Sequence, residues 1–263
     1  MADSMTKPYR SVSQHNTYVQ CPQRYKLERI DKVWQRPAAW LSQGTAVHTA
    51  LEAWERSGRT MPLEAVQDVF RDEYAASIEE QAEVTPNTEY WFASGPYRGA
   101  VDIERRYGIG LEQCEKLMAW YDKHPEETVW ITPDGTPAIE LGYEVEIGGV
   151  PVRGFIDVIM STPAGLVVRD IKTGNMPGDE FQLATYALAM KIMYDVEITT
   201  GDYFMGRTGK PTVPYDLTDE LPLVPGKYKD MNAKVEAGEF PAKPDPKKCG
   251  FCGVRTSCAF AEL

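Results

Sequence analysis

The sequence predicts a mixed α/β chain of the α+β kind, with a core order of helix, three antiparallel strands, helix, strand. Three observations carry this prediction. Up to residue 136 the apolar residues recur at helical spacing. At Pro137 the texture changes to short alternating runs rich in β-branched residues. Those runs are joined by Gly148-Gly149 and by the segment STPAG, which read as hairpin turns. At 263 residues the chain can bury a substantial core, as one large domain or two small ones.

Each element follows from its own stretch. The segment YRSVSQHNTYVQCPQRYKLERI reads as a helix with Ser13 as its cap. In PAAWLSQGTAVHTALEAWERSG, Trp40, Leu41, Gly44, Val47, His48, Leu51 and Trp54 recur at helical spacing, which places His48 on the apolar face. Residues 62–81 and 109–123 read as two further amphipathic helices. Cys114 falls on the apolar stripe of the second with Leu111, Leu117, Met118 and Tyr121, and reads as a core cysteine. AIELGYEVEI, VPVRGFIDVIM and LVVRDIK are the three strands, GDEFQLATYALAMKIMYDV the next helix, and a strand follows near ITTGDYFMG. The Pro-rich GEFPAKPDPKK then leads into a cysteine-rich tail.

A net charge of −11 argues against a protein that coats nucleic acid, but the charge is uneven. Residues 7–36 carry Lys7, Arg10, Arg24, Lys26, Arg29, Lys32 and Arg36 against Glu28 and Asp31, and residues 243–258 are also basic. An acidic protein can hold a polyanion in a local basic groove, above all when some carboxylates bind metal. No apolar run approaches a membrane span and MADSMTKPYR lacks a signal-peptide stretch, so a cytoplasmic protein of bacterial or phage origin is expected.

Strand register can be counted from the turns. With Thr162–Gly165 as a loop, Ser161 faces Leu166 and Asp157 lies opposite Asp170; Lys172 shares the Asp170 face. The Gly148-Gly149 turn sets Glu144 opposite Arg153 and Glu140 opposite Asp157. Adjacent carboxylates repel unless a cation sits between them, and a hard divalent ion such as Mg²⁺ or Mn²⁺ satisfies both. Lys172 beside them suits a reaction that builds negative charge or needs an activated water. The other reading is a solvated sheet face with paired surface charges.

Gly44-x3-His48, then GFIDVI with Asp157, RDIKTG with Asp170-x-Lys172, and Gln182-x3-Tyr186 resemble, in order, the motifs of the PD-(D/E)XK nuclease superfamily, in its RecB-like exonuclease branch. The resemblance spans residues 44–186 and implies a restriction-endonuclease-like core of order α-β-β-β-α-β. It implies that Asp157 and Asp170 are metal ligands for Mg²⁺ or Mn²⁺, and that His48 is a further ligand. Lys172 would position or activate the attacking water; Gln182 and Tyr186 would line the cleft, although helix packing also accounts for them. Glu144 sits where family members often carry a glutamate, and a pair with Arg153 explains it equally well.

Cys249, Cys252 and Cys258 are spaced C-x2-C-x5-C, and soft metals held by thiolates usually take four ligands; the remaining candidate is Cys21. Zinc and iron–sulfur are both open on spacing. The pattern resembles the [4Fe-4S] staple of AddB nucleases and of the RecB-like exonuclease of CRISPR adaptation, which implies a cluster joining residues 10–30 to 240–263. By the same resemblance, residues 1–263 form one nuclease domain, with a mainly helical insertion at 50–136 and the catalytic sheet and helix at 137–206.

Within that insertion Tyr90, Trp91, Phe92, Tyr97 and Tyr107 are interleaved with Arg98, Arg105 and Arg106. Aromatic faces stack on unpaired bases while arginines follow phosphates, so these arginines are candidate DNA-binding residues; packing is the alternative for the aromatics. The expected function is a metal-dependent DNA exonuclease acting on single-stranded ends. The competing expectation is a DNA-end-binding module with little chemistry that acts with a helicase or an integration or recombination partner.

Overall fold

In the computed structural model, which describes residues 8–262, the N-terminal helix α1 runs Val12–Gln20. Lys7 of the basic N-terminal segment lies outside the described residues. The cap of α1 is Ser11 rather than Ser13: Ser11 is extended (φ −147°, ψ 166°) and its side chain accepts from the Gln14 N–H. A cap must stand outside the helical backbone region, whereas Ser13 is already in the first turn. Pro22 disfavours the helical conformation for the residue before it, and Cys21 is extended. The predicted single helix therefore breaks at Cys21, restarts as α2 (Pro22–Tyr25) and ends in a π-turn at Lys26–Ile30.

Three long helices follow, α3 (Ala39–Arg56), α4 (Leu63–Val84) and α5 (Gly99–Tyr121). The last begins at Gly99, ten residues before the expected start at residue 109. Gly110 is there for packing: a Cβ on it would come within 2.1 Å of the Phe70 ring. Trp91 and Phe92 are buried, and Tyr107 packs against Phe70 and Tyr74, so these three aromatics belong to the helical core rather than to an open stacking surface. Cys114 is buried in the same core.

Seven strands form one mixed sheet: β1 (Thr128–Val129), β2 (Ile139–Ile147), β3 (Val150–Thr162), β4 (Gly165–Lys172), β5 (Thr200–Met205), β6 (Lys210–Pro211) and β7 (Tyr215–Asp216). β1, β2 and β4 each pair antiparallel with β3. Helix α6 (Glu180–Tyr194) provides the crossover that makes β4 and β5 parallel. The register counted from the turns is found, with Glu144 opposite Arg153 and Ser161 opposite Leu166. Gly148 and Gly149 both have positive φ (61° and 79°), as a tight hairpin of this kind requires.

One face of the sheet packs on α1, α6 and α7 (Val224–Glu236), the other on α3–α5. Leu141, Tyr143 and Val145 of β2 and Val152 and Ile156 of β3 face the α6 layer, whereas Val158 and Met160 face α3–α5. Unbroken alternation would keep Ile156 and Val158 on one face. The pleat therefore turns over at Asp157. Opposite it, Glu140 has φ 43°, between the pairs Ile139–Val158 and Leu141–Ile156. The short helix α8 (Pro246–Gly250) starts the cysteine-rich tail. Among the described residues no helix is long and apolar enough to cross a membrane.

Candidate active site

The ladder between β3 and β4 ends at Val158–Arg169, one pair before Asp157 would meet Asp170. The strands part there, and the Asp157 carboxylate takes over the ladder's role: the Ile171 N–H donates to Asp157 Oδ2 at 2.7 Å. Helix α3 lies across this fork. Gly44 allows the approach, since a Cβ on it would stand 3.2 Å from Thr173 Oγ1. One turn further on, His48 reaches the fork with Nε2 3.0 Å from the Ile171 carbonyl. A carbonyl can only accept, so Nε2 carries the proton and Nδ1 faces Glu140 Oε1 (3.6 Å) and Asp157 Oδ2 (3.5 Å).

His48, Glu140 and Asp157 each offer a ligand atom, all within 4.8 Å of one another. Among the described residues this is the only such group of three or more. Glu140 was not a sequence candidate; Glu144, which was, is exposed and accepts from the Tyr9 hydroxyl at 3.2 Å. Asp170 is outside the tight group. Its Oδ1 accepts from Gln182 Nε2 at 2.6 Å, and Lys172 Nζ lies 2.7 Å from Oδ2. Oδ2 is buried, and the Lys172 ammonium is the charge that compensates it. The same Gln182 amide accepts from Lys172 Nζ (3.0 Å) and donates to Tyr186 Oη (2.8 Å). Thus Gln182 and Tyr186 do join Asp170 and Lys172.

The electrostatics are those of crowded carboxylates. Burial, with Asp170 as the next cause, pushes the Asp157 carboxyl up to about 7. Burial also raises Asp170, against the lowering effect of Lys172. For His48, burial works downward but Asp157, Glu140 and Asp170 carry it up to about 9. Tyr186 is raised by burial and by the two aspartates, and stays a neutral phenol. Two carboxylates and an imidazole whose ligand atoms converge at a crowded, partly buried fork fit a hard divalent cation.

Two glutamines that the sequence did not single out tie this fork to a neighbouring cleft. Gln113 Nε2 donates to the Thr173 carbonyl (2.9 Å), Gln43 Nε2 to Gln113 Oε1 (2.6 Å), and Arg106 Nη1 to Gln43 Oε1 (3.1 Å). Both glutamines are buried on apolar helix faces, where a polar residue needs a specific partner; that was the available signal. The cleft, about 580 Å³, is lined by Trp40, Arg105, Arg106, Thr173, Gly174 and Phe251 among others. Arg105 lies over the Tyr97 ring (4.4 Å) and Arg98 is exposed at the start of α5.

Cys21, Cys249, Cys252 and Cys258 line one cavity between the N-terminal helices and the tail. Their sulfurs do not converge to within 4.8 Å as a metal-ligand group, so the expected cluster is not preformed at that distance.

A sequence profile of the PD-(D/E)XK nuclease superfamily matches residues 9–259. The chain belongs to the PD-(D/E)XK nuclease superfamily. Among curated relatives, the gene 69 protein of Mycobacterium phage L5 is 50% identical over 98% of this chain and 99% of its own length. The gene 69 protein of Mycobacterium phage D29 is 52% identical over 95% of this chain and 96% of its own. A crystal structure of a candidate exonuclease from Eubacterium rectale superposes with a TM-score of 0.51 over 97% of this chain and 90% of that one, at 11% identity. At that identity the likeness shows the fold alone, and it matches the curled mixed sheet flanked by helices. In this superfamily divalent metal ions are the usual cofactor, and the group at the sheet fork is where such an ion fits.

Proposed function

We propose that this PD-(D/E)XK protein is a metal-dependent deoxyribonuclease of the RecB-like branch that hydrolyses phosphodiester bonds from single-stranded DNA ends. The observation that carries this reading is the meeting of His48, Glu140 and Asp157 with Asp170 and Lys172 at the fork of β3 and β4. A bound Mg²⁺ or Mn²⁺ supplies Lewis-acid stabilisation of phosphoryl charge and an acidified water. His48, Glu140 and Asp157, with Asp170 beside them, would hold that ion. Asp157 is oriented by the Ile171 amide, and His48 by the Ile171 carbonyl, so both ligands are fixed by the same peptide strand. Lys172, braced by Asp170 and Gln182, would stabilise the charge on the reacting phosphate and position the attacking water. Tyr186 fixes the Gln182 amide, which completes the brace.

The cleft beside Thr173 is the route for the strand in this reading, with Arg98, Arg105 and Arg106 contacting phosphates. The helices between residues 50 and 136 wall it as an insertion of the nuclease core. In the same reading the four cysteines would hold a [4Fe-4S] cluster. They share one cavity, and a single tetrahedral zinc, with Zn–S bonds of about 2.3 Å, would draw the sulfurs within roughly 4 Å of each other. The curated relatives are phage proteins, and in this reading the chain would act on DNA inside a bacterial cell.

The test of end specificity is a closed circular single strand beside its linear form, each incubated with Mg²⁺, Mn²⁺ or EDTA. Degradation of the linear strand alone is expected. Equal loss of the circle would make the enzyme an endonuclease.

A further inference from the structure

Away from the catalytic fork, a second pocket of about 230 Å³ is lined by Trp34, Arg36, Tyr90, Gly253 and Arg255, among others. Arg36 is locked in place without any carboxylate. Its Nε and Nη2 donate to the carbonyls of Tyr90 (2.6 Å) and Trp91 (3.1 Å), and its guanidinium lies 4.7 Å over the Phe92 ring. Its own N–H donates to the Gly253 carbonyl at 2.9 Å, which joins the pocket's N-terminal and C-terminal walls. Among the described residues, none of Arg36, Arg98 and Arg255 is in an ion pair.

The arginines also work against one another. The Arg36 pKa is lowered by burial and then by the charges of Arg255 and Arg98. In a chain of net charge −11, carboxylates are plentiful, yet among the described residues none forms an ion pair with these arginines. Mutually repelling guanidiniums are stabilised when an anion enters between them.

The walls narrow the class of anion. Trp34 is 39% exposed and Tyr90 66% exposed. The Trp34 indole is fixed by donating to Thr85 Oγ1 at 3.1 Å. Open aromatic faces beside arginines, that of Trp34 held in place, suit unpaired bases joined by phosphates, whereas a duplex offers no free base faces. The pocket also adjoins the catalytic cleft. Phe251, 69% exposed, lines that cleft with Arg105 and Thr173, and the next residue, Cys252, lines this pocket.

We propose that this pocket is a second, non-catalytic binding site for single-stranded DNA, with phosphates on Arg36 and Arg255 and bases stacked on Trp34 and Tyr90. It holds the strand beyond the end being cut, and in that placement it rests on the nuclease reading above.

The experiment is fluorescence anisotropy with labelled oligothymidylates of increasing length, in EDTA at several salt concentrations, on protein purified without oxygen. Wild-type affinity should rise in a step once the strand is long enough to reach both cavities. Arg255→Gln combined with Tyr90→Ala should remove that step and weaken long-strand binding by about tenfold or more. The slope of log K against log salt should become shallower by roughly 0.7, because one phosphate fewer is neutralised. Arg255→Lys should restore most of the slope. If the double variant melts below wild type, Arg255→Glu alone carries the same test. Unchanged affinity and slope in these variants, or equally tight binding of a duplex competitor, overturns the proposal. EDTA keeps the test apart from catalysis: a wild-type protein that binds with the length step but cuts nothing with any divalent ion sinks the nuclease reading instead.

Discussion

Glu140 stands across β2–β3 from Asp157, at the position where the pleat of both strands turns over. Its φ of 43° is one that residues other than glycine rarely adopt, at a cost of about 1–3 kcal/mol. Backbone strain of this kind persists where it aims a side chain, and here it brings the Glu140 carboxylate to His48 and Asp157. Glu140→Ala should therefore weaken Mn²⁺ binding by at least about tenfold in calorimetric titration. Glu144→Ala should leave it unchanged, because that carboxylate is on the surface with Tyr9. The reverse result would return the ligand role to Glu144.

Asp157, Asp170 and Lys172 were legible in the sequence because two short turns fix the register and strand alternation does the rest. Glu140 was not, since a pleat reversal defeats the alternation rule and leaves no residue-type signature. Gln43 and Gln113 were hidden for a different reason: their partners, the Gln113 side chain and the Thr173 backbone carbonyl respectively, are supplied by tertiary packing. The start of α5 lies ten residues before the expected one, and the helix runs through Gly108 and Gly110, the latter required by the Phe70 ring. The cysteine pattern pointed to a four-thiolate metal site; the fold brings Cys21 and the tail cysteines to one cavity, but their sulfurs do not converge there as a ligand group.

The crowded carboxylates make a pH prediction. Asp157 is raised from 3.8 to about 7 in the folded chain. Between those values the folded state holds a proton that the unfolded state has lost, so metal-free stability falls as pH rises through that window. Asp157→Asn, which can still accept from the Ile171 amide, should melt higher than wild type at about pH 8 in EDTA, by roughly 1–3 kcal/mol. At about pH 4 the two should coincide. Saturating Mg²⁺ should stabilise wild type alone, since the variant has lost a ligand. A variant that melts below wild type at both pH values would contradict the electrostatic account.

The glutamine relay predicts a residue remote from the metal with an effect on turnover. Gln113→Leu leaves the Thr173 carbonyl and Gln43 without their partner, and should cost about 1–3 kcal/mol of stability. Because Thr173 follows Lys172, kcat should fall more than KM rises. Gln113→Glu, which retains an acceptor for Gln43, should recover only that half of the network. Wild-type kcat in Gln113→Leu would reduce the relay to packing.

For the cysteines, protein purified without oxygen should be brown, with broad visible absorbance from thiolate–iron charge transfer. Cys21→Ala should bleach it and destabilise the protein. Cys114→Ala, a small cavity in the helical core, should keep the colour. Colourless protein with stoichiometric zinc would contradict the iron–sulfur assignment.

The central claim is that Asp170 and Lys172, with the His48–Glu140–Asp157 group, cut DNA. The most direct measurement is digestion of an end-labelled linear single strand by wild type, Asp170→Asn and Lys172→Ala, each with Mg²⁺, Mn²⁺ or EDTA. Wild type should degrade the strand with either metal and not in EDTA. Asp170→Asn should be inactive while still binding DNA, and Lys172→Ala should turn over far more slowly with its metal affinity retained. Cleavage by either variant at the wild-type rate, or by wild type in EDTA, would contradict the account.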